Sequence, residues 1–184
     1  AFTEPLSTSG TSALALAMSP APVGVGPAKA EKLDLKMMNI GEMGARDLLF
    51  HLDAGAFPSL KELLLDSNSI GTYAAGALGS SMRSGNLPLL ETLWLNDNPL
   101  LADEGCSAIF VALPACPRLR ELCANGVRLS TSKQKTAQRL LAEALDAGAM
   151  PKLKRLVTDQ GAYFRNAFVN VRSDLGTLTE QCAA

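Results

Sequence analysis

The chain has 184 residues, 47% of them apolar, and its 17 basic and 18 acidic side chains leave a formal charge of -1. That apolar share supports one substantial core and excludes disorder along the whole length. The near-zero charge lacks the basic surplus that a general nucleic-acid binder needs, and with only 19% of residues charged, much of the surface must be uncharged or covered.

The first segment, residues 1–29, reads as an extended leader or linker. Residues 5–28 carry no charge, but Pro20, Pro22 and Pro27 interrupt them and Ser, Thr and Gly dilute them, which is too polar and broken for a membrane span. The most apolar run, residues 13–18, is shorter than the apolar region of a secretory signal and follows no basic segment. An N-terminal cap or a targeting remnant is the alternative. The acid-poor, Ser/Thr/Ala-rich start resembles organellar targeting sequence, and Ala1-Phe2 resembles the alanine-phenylalanine junction of transit peptides in algae with complex plastids.

Residues 30–161 are organised by a repeated phrase: Pro58-x-Leu60-x-x-Leu63, Pro88-x-Leu90-x-x-Leu93, Pro117-x-Leu119-x-x-Leu122 and Pro151-x-Leu153-x-x-Leu156, at spacings of 30, 29 and 34. After each phrase the apolar pattern changes from alternation to helical spacing, as in Leu63 and Leu65 followed by Ile70, Leu78 and Met82. Each unit therefore predicts a short strand, a turn and a helix. About five such coils are expected, with parallel strands and first consensus positions at Ala30, Leu60, Leu90, Leu119 and Leu153. One unit cannot bury its apolar face alone, so the coils must stack into a continuous core.

The fuller phrases, Leu60-x-x-Leu63-x-Leu65-x-x-Asn68-x-Ile70-Gly71 and Leu90-x-x-Leu93-x-Leu95-x-x-Asn98-x-Leu100, resemble leucine-rich repeats of the ribonuclease-inhibitor-like class. The likeness extends to Leu33-x-Leu35-x-x-Met38-x-Ile40-Gly41, Leu119-x-x-Leu122-x-Ala124 and Leu153-x-x-Leu156-x-Thr158. It implies an α/β fold, a leucine-rich-repeat solenoid bent into a horseshoe arc, with parallel strands on the concave side and helices on the convex side. It also implies that Asn68 and Asn98 are structural turn residues whose buried amides pair with the turn backbone. Met38, Val127 and Gly161 stand at that place in the other coils, so their turns are expected to solve the problem differently or to loosen. The Leu100 turn carries one extra residue, because Ile40 to Leu48 spans 8 positions and Leu100 to Ile109 spans 9.

Residues 162–184, with Tyr163, Phe164, Phe168, Val169 and Val171, read as a C-terminal cap or tail. Cys106, Cys116, Cys123 and Cys182 form no C-x-x-C pair and His51 is the only histidine, so no metal site is expected and the thiols read as reduced. No phosphate-binding loop occurs, and Gly24-Val-Gly26 lacks the third glycine of a dinucleotide site, so no cofactor is expected. His51 follows an apolar run on a predicted outer helix, the wrong setting for a catalytic base. Glu62, Asp66, Glu91, Glu121 and Asp159 lie on an open sheet, where carboxylates stay solvated and keep ordinary acidities. Leu60-Lys-Glu-Leu63-Leu64 fits the L-x-x-L-L docking motif, but its leucines are needed in the strand, and Lys152, Lys154 and Arg155 read as a solvated end strand rather than an RNA site.

Strand residues alternate sides, and equivalent positions of neighbouring strands stack at about 4.8 Å, so the concave face reads as columns. The central column is Asp34, Leu64, Trp94, Cys123 and Val157; beside it run Lys36, Asp66, Asn96, Asn125 and Asp159, and on the other side Glu62, Thr92, Glu121 and Arg155. An apolar centre with polar flanks is expected to bind a partner, with Trp94, the only tryptophan, as its anchor. The alternative is that the chain's own terminal segment covers Trp94.

On the convex side, the helix after Ile40 is expected to turn Glu42, Arg46, Asp47 and His51 to solvent, and the helix before Pro151 to do the same with Lys133, Lys135, Arg139, Glu143 and Asp146. Between them, residues 67–82 and 105–117 contain no charge. Their outward positions, Tyr73, Ala77, Ser80, Ser107, Val111 and Ala115, are expected to pack against a partner.

The function expected is that of a non-catalytic protein–protein interaction scaffold, with a protein partner, no nucleic acid and no transmembrane segment of its own. The alternative is an accessory structural subunit of a large assembly, with an organellar (plastid) membrane complex as one setting. The location expected is intracellular: cytoplasmic, or plastid after transit-peptide removal.

Overall fold

A computed structural model describes residues 29–129 and 136–158. Residues 1–28 of the leader, Lys133, Lys135, Asp159, Gly161 and the expected C-terminal cap lie outside the described residues.

The proline of each repeated phrase sits at the second position of a β-turn, where its fixed φ is already suited. The backbone N–H of Leu60, Leu90, Leu119 and Leu153 closes that turn by donating to the carbonyl of Phe57, Leu87, Cys116 and Met150, at 3.0–3.3 Å. The turn delivers the chain into a short strand. These are β1 (Lys32–Asp34), β2 (Glu62–Leu64), β3 (Thr92–Trp94), β4 (Glu121–Ala124) and β5 (Arg155–Thr158). Between them run α1 (Gly41–Asp53), α2 (Thr72–Arg83), α3 (Ala102–Phe110) with a 3-10 turn at Leu113–Ala115, and α4 (Thr136–Asp146).

The strands form one parallel sheet in chain order, as the repeat implies, with Leu33, Leu63, Leu93, Leu122 and Leu156 in register. Those leucines join Leu48, Leu52, Leu78, Met82, Ile109 and Leu141 from the helices in a single apolar core. Alternate strand residues therefore point away from the helices and form an open sheet face. Helices α2 and α3 approach closely at Gly79, where a Cβ would collide with the Ala108 carbonyl oxygen, so only glycine fits.

Beyond each strand the chain turns through a left-handed residue at one repeat position: Met37, Ser67 and Asp97 at φ 58, 56 and 54°, and Gly126 at 73°. Asparagine amides hold two of these turns. Asn98 Oδ1 accepts the N–H of Asn68 (3.1 Å) and Ile70 (3.0 Å), while its Nδ2 donates to the carbonyls of Leu65, Leu95 and Asn96. One coil earlier, Asn68 Oδ1 accepts from Met38 (3.1 Å) and Ile40 (3.3 Å), and its Nδ2 donates to Leu35, Leu65 and Asp66. Each amide thus serves its own turn and the turn before it. This is how the first turn manages with Met38 in place of asparagine.

Coil three corrects one expectation. Leu100, expected at the buried consensus place, is 55% exposed, and Leu101 is 0% exposed instead. The extra residue is absorbed before the buried position, since Leu101 to Ile109 spans the same 8 positions as Ile70 to Leu78. The turn closes on itself, Leu101 N–H donating to the Asn98 carbonyl at 3.0 Å. Its second left-handed residue is Ala102 (φ 47°), directly after the buried Leu101, where Gly41 (φ 66°) follows Ile40, whereas Asn39 and Ser69 (φ 50 and 55°) lie one residue before the buried position of the regular turns. The residue one repeat later is the buried Val127, which has no amide to lend.

Candidate functional site

The open sheet face is bordered by charges that pair across strands. Lys32 meets Glu62 at 3.1 Å, Lys61 meets Glu31 at 2.8 Å, Arg120 meets Glu91 at 3.2 Å and Arg155 meets Glu121 at 3.8 Å. Exposed pairs of this kind contribute only about 0–1 kcal/mol each. Their consequence is electrostatic: the strand entry points offer a partner few unpaired charges.

Trp94 lies in register between Leu64 and Cys123 and is half-buried. Its Nε1–H donates to Glu121 Oε2 at 3.4 Å. Lys36 Nζ lies 5.3 Å and Arg155 Cζ 5.8 Å from the ring centre, within cation–π range. Lys36 is also 3.6 Å from Asp34. Of the central column, Leu64 and Cys123 prove to be buried, contrary to the expectation that they are presented to a partner. The alternation is as expected, but a neighbouring strand lies only about 4.8 Å away, less than the reach of an indole or a long cationic side chain. Trp94, Thr92, Glu62, Glu121 and Val157 are half-buried and Arg155 is exposed, so these remain accessible.

The adjoining column is partly a backbone device. Asp66 Oδ1 accepts the N–H of Asn96 at 2.8 Å, and Asn96 Oδ1 accepts the N–H of Asn125 at 2.9 Å. The sheet's hydrogen bonding is thereby carried past the strand ends. Asp66 is buried, which corrects its expected ordinary acidity: burial pushes the carboxyl above its usual value, and the Asn96 hydrogen bonds and the Lys36 charge only partly oppose this. The recurrence of Asp, Asn and Asn at one repeat position is the sequence signal for this ladder.

On the outer face of the helix layer, the six positions expected to turn outward all keep some exposure. Tyr73 is 67% and Val111 49% exposed, whereas Ala77, Ser80, Ser107 and Ala115 are half-buried. Val111 follows the last residue of α3, Ala115 belongs to the 3-10 turn, and the Ser107 hydroxyl donates to the Asp103 carbonyl at 2.6 Å. Glu42 is not simply a solvated residue. Its carboxylate accepts the N–H of Gly71 and, at 3.0 Å, of Ala74, satisfying donors that the start of α2 leaves unpaired. Nor is α1 a purely charged face, because Met43 and Phe50 are 57% and 72% exposed. The two stand seven positions apart, which the helical period brings to one side, so spacing alone carries the signal.

Among the described residues no three His, Cys, Asp or Glu side chains are placed to hold a metal ion, and no described helix is long and apolar enough to cross a membrane. Among the described residues Cys106, Cys116 and Cys123 are buried and joined by no disulfide, and burial pushes the Cys116 thiol up to about 11, which keeps it protonated. The chemistry that the open face supports is recognition by apolar contact, ion pairing and cation–π attraction. Compared with known proteins, the chain matches no family model and no curated sequence.

Proposed function

We propose that this protein is a non-catalytic interaction scaffold, a leucine-rich-repeat solenoid of the ribonuclease-inhibitor-like class that binds a protein partner through its open sheet face. The observation that carries the reading is Trp94, the one tryptophan, half-buried at the centre of a sheet whose bordering charges are paired. An aromatic anchor inside a polar rim is the usual energetic layout of a recognition surface. The sequential parallel strands, the repeat of about thirty residues and the relayed asparagine amides support the repeat assignment.

The test is a photoreactive side chain placed at Thr92 and, separately, at Ser80, with irradiation in an extract of the source cells. A discrete protein adduct from Thr92, reduced by Trp94→Ala at unchanged melting temperature, is the expected result. Adducts from Thr92 only to the chain itself would mean that the face is covered internally and the reading is wrong.

A second reading, the accessory subunit of a large assembly such as a plastid membrane complex, draws on the exposed Met43, Phe50, Tyr73 and Val111 of the helix side. Under it the Ser80 adduct dominates, and Ala77→Asp with Val111→Asp abolishes assembly while leaving the fold intact.

A further inference from the structure

The indole of Trp94 is already occupied by cations of its own chain. Lys36 follows β1 and Arg155 opens β5, each two strands away from β3, and both side chains extend to within 6 Å of the same ring. Neither is tightly fixed. Lys36 stands 3.6 Å from Asp34 with 37% of its side chain exposed, and Arg155 stands 3.8 Å from Glu121 with 47% exposed. Loose exposed contacts of this kind contribute little and exchange readily.

Around that ring cations and carboxylates nearly balance. Lys36 and Arg155 stand beside Asp34 and Glu121, and on the neighbouring strands Glu62 and Glu91 pair with Lys32 and Arg120, so Asp66 is the carboxylate that adds charge beyond these pairs. Asp66 adds a second observation. The ladder needs only an acceptor oxygen at that place, which Asn96 supplies from an uncharged amide one coil later. The negative charge of Asp66 is therefore surplus to the backbone role, and it is kept at a buried position beside the Lys36 charge. Indole, Asp34 and Asp66 together form a niche suited to a cation, with Lys36 as its present occupant.

We infer that this niche receives an arginine or lysine side chain from a basic segment of the protein partner, which displaces Lys36 from the Trp94 ring and pairs with Asp34 and Asp66. The inference rests on the open-face reading above and adds the chemistry of the partner. Lys36 then acts as an internal competitor. Removing it strengthens binding, whereas removing a direct contact would weaken it.

Trp94 is the only tryptophan, so its fluorescence reports on the niche directly. The full chain is titrated at low ionic strength with a blocked hexapeptide of alternating arginine and glycine, and with glutamate–glycine and serine–glycine counterparts. The arginine peptide is expected to give a saturable change, about two- to fivefold tighter with Lys36→Ala and weaker by a similar factor with Asp66→Asn, the range that a surface cation contact is worth. Asp66→Asn keeps the acceptor oxygen, and a melting temperature no lower than that of the wild type confirms that it does. No saturable change with the arginine peptide in Lys36→Ala overturns the inference, as does equal binding of the glutamate or serine peptide. The outcomes separate from those of the parent reading: a discrete partner adduct from Thr92, together with arginine-peptide failure, removes the cationic partner and leaves the interaction face standing.

Discussion

The turns that follow β2 and β3 begin alike and end differently. Both run from a leucine through a left-handed residue to a buried asparagine, Ser67 to Asn68 in one and Asp97 to Asn98 in the other. After Asn68 the chain reaches its buried Ile70 in two steps; after Asn98 it takes three, reaches Leu101 and leaves Leu100 in solvent. The difference lies one repeat further on. Asn98 supplies the oxygen that pins the N–H groups of Asn68 and Ile70, whereas Val127 has none to pin those of coil three. A turn in this protein takes its shape from the coil after it, and the extra residue sits where that support is missing.

Removing the support should have the largest effect. Asn98→Leu is expected to cost about 2 to 4 kcal/mol by chemical denaturation, because it strips several buried backbone groups of their partner with little change of volume. Asn68→Leu should cost less, since one of its acceptor bonds, to Met38, lies at a partly exposed site. Equal costs near zero would mean that the turns are solvated, and the contrast between them would collapse.

Supplying the missing amide should have a smaller and conditional effect. Val127→Asn alone is expected to destabilise by about 1 to 3 kcal/mol, since the amide enters a fully buried site facing a turn already closed on itself. Deleting Leu100 in the same chain should recover much of that loss by restoring the regular turn length. A double-mutant cycle measures the coupling, and simple additivity would show that turn length and amide are unrelated.

The smallest effect concerns the ladder beside these turns. The carboxyl of Asp66 has its folded-state pKa raised by burial, so its contribution to stability is full below the unfolded value near 3.8 and is lost as pH rises through the raised folded value. Asp66→Asn should therefore gain on the wild type as pH climbs from the unfolded pKa through the folded one, then run parallel to it. Denaturation midpoints across the acid range check this. A wild type that instead gained on the variant over that interval would mean that hydrogen bonding, not burial, governs Asp66.

Much of this arrangement is legible in the sequence, for identifiable reasons. The Pro-x-Leu phrase encodes a β-turn and a strand start together, which is why the register of Leu63, Leu93, Leu122 and Leu156 follows from spacing. Leu100 and Leu101 are equally apolar, so a slip of one position between them leaves no trace in a hydrophobic pattern. Alternation places Leu64, Asp66 and Cys123 on the open face but does not say how far Trp94, Lys36 and Arg155 reach over it. Glu42 looks like any exposed helix residue until the N-terminus of α2 comes beside it, a relation that only stacking creates.

The relay itself is tested most directly by native-state hydrogen exchange resolved to single amides in wild type and Asn98→Leu. The amides of Asn68 and Ile70 are expected to lose protection in the variant, while those of Met38 and Ile40, which depend on Asn68, keep most of theirs. Uniform loss across all four amides, or unchanged exchange at Asn68 and Ile70, would contradict the claim that each turn is held by the coil after it.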